Sequence, residues 1–112
     1  MSDWNISFAE QAEADLREIY EYVAFTLLEP GTAQNLTRRI VARISGLNAS
    51  PDGYAVYPKE PWKSRGLRRV NAGNYAIFFI PVKNKSTVVI IRIVYGGRDI
   101  ERVLDETQDI SE

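Results

Sequence analysis

The chain contains no cysteine and no histidine. Without cysteine there is no disulfide framework and no thiolate chemistry. Without histidine the usual general base near neutral pH and the commonest transition-metal ligand are missing. Any catalysis must therefore use carboxylates, Lys, Arg, Tyr or Ser, and neither a metal nor a cofactor is expected. Long apolar runs are also absent: none approaches the ~18 residues that a membrane span needs, and residues 1–7 have no signal-peptide character. No membrane partner is expected, and the simplest location is cytoplasmic.

What is present describes one globular domain over residues 1–112, with 45% hydrophobic and 26% charged residues. The net charge of −1 conceals segregation. Residues 1–29 carry Arg17 against seven acids, and residues 99–112 carry Arg102 against six. The centre, 30–98, carries twelve Lys and Arg against only Asp52 and Glu60. Ordinary solvated faces are one reading of this. The sharper one is a basic central surface that meets an anionic partner.

Trp4–Phe8 (WNISF) alternates apolar and polar residues and predicts a short strand. From Ala9 to Leu28 the period becomes helical, with Ala12, Leu16, Ile19, Val23 and Leu27 on one stripe. Pro30-Gly31 interrupts it, and a second stripe (Ala33, Leu36, Ile40, Ile44, Leu47) predicts a helix over 32–48 that carries Arg38, Arg39 and Arg43 on another face. So short a connection makes the pair an antiparallel αα-hairpin. Tyr54–Arg65 (YAVYPKEPWKSR) has no clean period and reads as an ordered surface loop with functional potential.

Gly66–Asp99 then reads as a β-meander, with strands over 67–70, 75–82 and 87–95. Pro81 marks a place near an edge. The third strand is apolar on both faces except at Arg92, which suits a central strand. Strict alternation groups Arg92 with Val88, Ile90 and Val94, so Arg92 is expected to mark a sheet face left open by the helices. Gly96-Gly97 turns the chain, Asp99 caps a short helix through Leu104, and 105–112 is expected to be a frayed acidic tail. The expected fold is α+β: a short N-terminal strand, the antiparallel αα-hairpin packed on a mostly antiparallel four-stranded curved sheet, and a short C-terminal helix.

Three segments in this order, AEQAEADLREIYEY, GLRR followed by NYAIFF, and RIVYGGRDI, resemble the RelE/ParE superfamily of type II toxin–antitoxin (plasmid stabilisation) toxins. The resemblance covers Ile6 to Leu104. It implies a sheet whose concave face is active, a cognate antitoxin that blocks it, and operator DNA bound through the toxin–antitoxin complex. It also implies one of two targets: the translating ribosome with its mRNA, which one branch cuts, or DNA gyrase, which another branch poisons without nuclease chemistry.

For a nuclease, the resemblance makes Glu60 a general base, with Lys63, Arg69 and Arg98 clamping phosphate. Trp62 or Tyr57 would serve as a base-stacking platform. Two positions depart from that pattern: Ala76 stands where related ribonucleases often carry Arg, and Leu104 where a catalytic Tyr is expected. The poisoning branch asks only for a surface, for which Trp62, Arg65, Arg92, Tyr95, Arg98, Arg38, Arg39 and Arg43 are the candidate target- or antitoxin-binding residues. Blander readings stand beside these. Glu60 between Lys59 and Lys63 could simply neutralise a basic loop, and Trp62 could be a lid over the sheet. Of Arg68 and Arg69, which alternate, at most one can face the concave surface. The expected activity leans to non-enzymatic gyrase poisoning, with ribosome-dependent mRNA cleavage as the alternative and an inactive co-repressor relic as a third.

Overall fold

The computed structural model describes residues 3–107. Strand β1 (Asn5–Phe8) leads into helix α1 (Glu10–Glu21), a π-helical turn over Tyr22–Thr26, and helix α2 (Pro30–Ser45) with Pro30 in its first turn. A one-turn helix α3 (Trp62–Arg65) precedes β2 (Arg68–Ala72), β3 (Tyr75–Val82) and β4 (Thr87–Tyr95), and α4 (Ile100–Asp105) follows. The sheet order is β1-β4-β3-β2, with β1 parallel to β4 and the meander antiparallel. This is the expected α+β architecture.

The helical stripes explain one face. Ala12, Ile40, Ile44 and Leu47 are buried against Val70, Ile77, Phe79, Val88, Ile90 and Ile93. Leu27, at the end of the first stripe, is instead 50% exposed, because the π-helical turn adds a residue and rotates the stripe off the core. Phe25 and Leu28 are exposed beside it, and Leu28 adopts a left-handed backbone with φ 57°.

The second face is not open. Trp62, Leu67, Ala76, Phe78, Ile80, Ile91, Val94, Val103 and Leu104 form a separate buried cluster there, so the loop before β2 and helix α4 close the sheet from the other side. Each large side chain removed from water contributes about 1.5–3 kcal/mol. That return outweighs leaving Phe78 and Ile91 exposed on an uncovered sheet. The segment expected as a surface loop thus supplies the buried Trp62.

Register accounts for the other departures. The β2–β3 turn contracts to Gly73-Asn74, with Gly73 at φ 58°, a conformation that two-residue hairpins take readily with glycine. Pro81 pairs with Val88 beyond Phe79, where β2 stops, so β3 is unpaired on that side. In β4, Phe78 faces Arg92 but Phe79 faces Ile90, leaving Ile91 as an extra bulged residue. Alternation breaks at that bulge. Val88 and Ile90 pack with the helices together with Ile93, whereas Ile91 and Val94 pack on the opposite face.

Candidate functional site

At the end of β4 the chain must turn sharply. Gly96 N–H donates to the Asn74 carbonyl at 2.7 Å, and Arg98 N–H to the Tyr95 carbonyl at 3.0 Å. A Cβ on Gly97 would lie 2.6 Å from Tyr95 Cε2, so the absence of a side chain lets the tyrosine ring fold over the turn. Asp99 then caps α4 by accepting from Arg102 N–H at 3.2 Å. Arg98 is held between last strand and last helix. Among the described residues its guanidinium has no hydrogen-bond or ion-pair partner. It lines a groove of about 650 Å³ with Glu18, Tyr22, Leu27, Tyr75 and Tyr95. Tyr75 and Tyr95 meet edge to face at 5.6 Å. Burial, then the neighbouring phenols of Tyr95 and Tyr22, push the Tyr75 hydroxyl above its ordinary value of 10.0.

Arg69 belongs to a different hollow, of about 200 Å³, lined also by Asn71, Gly73, Asn74, Tyr75, Tyr95, Gly96 and Gly97. Its Nε donates to Asn71 Oδ1 at 3.1 Å, and its guanidinium covers the Phe78 ring. Arg68 turns the other way and donates to the Tyr54 carbonyl. The hollow lined by Arg69 contains neither Glu60 nor Arg98.

Glu60 caps the one-turn helix. Its Oε1 accepts from Ser64 N–H at 3.0 Å and its Oε2 from the Ser64 hydroxyl at 2.8 Å. Those two bonds, hydroxyl first, hold its carboxyl below the ordinary 4.5. A base that must take a ribose proton needs the opposite shift. Lys63 sits on the exposed face of that turn, and Lys59 pairs with Glu101 of α4. Trp62 is 3% exposed and donates through Nε1 to the Leu104 carbonyl at 3.2 Å, with the Arg65 guanidinium 5.1 Å from its ring centroid. It is a pillar of the second core and cannot stack on a base.

Arg92, expected on an open face, is a structural ion. It forks onto Asp15 of α1 through Nε to Oδ2 at 2.8 Å and Nη2 to Oδ1 at 2.9 Å, and donates through Nη1 to the Thr107 hydroxyl at 3.0 Å. The Asp15 bonds, foremost, raise its already high pKa. Asp15 Oδ2 also accepts from Ile93 N–H at 2.9 Å. Pairing between β1 and β4 stops at Ile90, so this carboxylate serves the strand edge that β1 no longer covers. Asp15 falls within the first apolar stripe, three residues after Ala12 and four before Ile19. A carboxylate at such a position is the signal that could have disclosed a buried cation. Thr107, 8% exposed, lies in the segment expected to fray, and Asp105 closes α4; 108–112 lie outside the described residues.

On α2, Arg38 donates to Asn35 Oδ1 at 3.4 Å. Arg43 Nε donates to the Asn71 carbonyl at 3.2 Å and lies 6.0 Å from the Tyr54 ring centroid. Arg39 Nη2 lies 3.3 Å from where a Cβ on Gly73 would be. Among the described residues no group of three or more acidic side chains is placed to share a metal ion, and no helix is long and apolar enough to cross a membrane.

A sandwiched meander with an αα-hairpin on one face and a short helix after a Gly-Gly-Arg turn defines a RelE/ParE-like toxin fold. Residues 6–100 match the family described as the ParE toxin of the type II toxin–antitoxin system, parDE, and the chain belongs to that family. The structure is similar to a chromosomal ParDE toxin–antitoxin system from P. aeruginosa, at 26% identity and TM-score 0.67 over 82% of this chain and 95% of that one. It is also similar to a free-state variant of the E. coli toxin RelE, at 14% identity and TM-score 0.64 over 96% and 95%. A RelBE toxin–antitoxin complex from Mycobacterium tuberculosis aligns at 18% identity and TM-score 0.59 over 83% and 98%. The last two likenesses concern the fold alone. No curated protein sequence matches the chain.

Proposed function

We propose that this toxin arrests growth by engaging DNA gyrase through a surface centred on Arg98, without cutting RNA, and that a cognate antitoxin neutralises it and carries the pair to operator DNA. The carrying observation is the packing of Ala76 and Leu104 in one closed core with Trp62. The two positions where a nuclease of this superfamily would place its Arg and Tyr are filled with apolar side chains, 1% and 2% exposed. The remaining acid, Glu60, is capped and lowered. A proton relay missing its parts loses orders of magnitude, because such groups act as a unit. A binding surface asks for none of them. Arg98 supplies an uncommitted cation at a rigid turn beside exposed Tyr22 and Tyr95.

Membership of the family described as the ParE toxin of the type II toxin–antitoxin system supports the role of toxin. Assembly with an antitoxin is supported by the ParDE and RelBE systems that share the fold. Induction of the chain alone in bacteria is expected to stop growth, with relief when a small open reading frame beside its gene is co-expressed. Normal growth with soluble toxin present would instead favour the inactive relic.

A further inference from the structure

The arginines of the β2 edge form a group that the Arg98 surface does not use. Arg39 and Arg43 come from α2 on one side of the sheet and Arg69 from the other, and all three reach the Asn71–Gly73 end of the β2–β3 hairpin. Their partners are neutral: a backbone carbonyl, an amide oxygen, and the Tyr54 and Phe78 rings. Among the described residues none of the three has a carboxylate within ion-pair distance. Arg92, by contrast, has Asp15. Three guanidinium groups around one hairpin end, with no carboxylate paired to them among the described residues, make a positive field there that an anion would lower.

We infer that Arg39, Arg43 and Arg69 bind the phosphodiester backbone of a nucleic acid, with the polar hollow beside Arg69 receiving one phosphate. The choice of a phosphate backbone over an acidic peptide strand follows from the edge itself. A peptide joining β2 would need its outward-facing backbone groups. Val56 already bridges Arg68, and Arg43 already takes the Asn71 carbonyl. A peptide strand would have to displace both, whereas the side-chain cations stay exposed. The spacing also fits. Four residues of helix place Arg39 and Arg43 about 6 Å apart along α2, so both side chains can reach phosphates of one strand. Exposed Tyr95, on the wall of the same hollow, offers a ring to an unpaired base. This site is independent of whether gyrase is the target, since it concerns contact with nucleic acid and not arrest.

The test is fluorescence anisotropy with the full-length toxin and labelled oligonucleotides of one sequence as single-stranded DNA, duplex DNA and RNA, titrated across salt. Wild type should bind with an affinity that falls as salt rises. Arg39→Gln/Arg43→Gln/Arg69→Gln should lose roughly tenfold or more at low salt, and its log–log salt slope should be shallower by about 2 on a single strand and about 2.7 on duplex. If the triple variant is unfolded by circular dichroism, Arg39→Gln alone decides the matter. That side chain makes no hydrogen bond among the described residues, and its slope should change by about 0.7–0.9. Dependence on the arginines with any of the three oligonucleotides supports the site and identifies the backbone it takes. Folded variants that bind within twofold of wild type at an unchanged slope overturn it. So does a labelled polyglutamate peptide that binds more tightly than all three oligonucleotides.

Discussion

Asp15 and Arg92, 77 residues apart in sequence, meet through two parallel hydrogen bonds of 2.8 and 2.9 Å that fasten α1 to the bulge of β4. Both side chains are largely covered, at 11% and 14% exposure. Removing one partner strands the other in a poorly solvated place, and Asp15 also holds the Ile93 N–H. Arg92→Ala and Asp15→Asn are each expected to destabilise the domain by about 2–4 kcal/mol. The double variant should cost much less than the sum. Urea unfolding of the three variants checks this; additive losses would show that the pair is not coupled.

Glu60 is a cap. Glu60→Gln should leave growth arrest intact, as scored by induction and plating. Its folded pKa is depressed, so whatever stability it adds is present above the ordinary 4.5 and is lost as pH falls through the lower folded value. A carboxyl titration by NMR should therefore place its midpoint below 4.5. A raised midpoint, or loss of toxicity in the variant, would return it to the role of base.

Leu104 fills space that a nuclease would use. Leu104→Tyr is expected to overpack the cluster around Trp62 and cost about 1–3 kcal/mol, without creating RNA cleavage. Denaturant unfolding together with primer extension on ribosome-bound message measures both outcomes. A stable, cleaving variant would show that the position faces the active surface.

Much of the scaffold was legible in the residues. β3 and β4 run over the residues expected of them, because β-branched and aromatic runs bounded by Gly, Asn and Lys leave few alternatives. The helical stripes likewise named Ala12, Ile40, Ile44 and Leu47 as core. The site was less legible, for physical reasons. The bulge at Ile91 is a register event between two strands, and no alternation pattern within one strand records it. Trp62 reads as loop because its partners, Val103 and Leu104, arrive some forty residues later. Arg92 looked free for the same reason, since its carboxylate belongs to a distant helix. The turn that carries Arg98 was legible because its setting is local: two glycines, then a helix cap.

Arg98→Ala should reduce toxicity by an order of magnitude or more while leaving thermal unfolding unchanged within a few degrees. Its guanidinium supports no other group among the described residues, and exposed substitutions of that kind shift stability by only about 0.5 kcal/mol. Titrated induction with parallel melting curves reads both. Full toxicity in the variant would move the target surface elsewhere.

In the proposed mode of action, arrest comes from gyrase engagement and not from RNA cleavage. Its most direct test is a DNA supercoiling assay with purified gyrase and toxin, run beside a translation reaction in which ribosome-bound message is mapped for cuts. Gyrase engagement predicts lost supercoiling or accumulated cleaved DNA with intact message. Normal supercoiling with codon-positioned cuts in the message would contradict it.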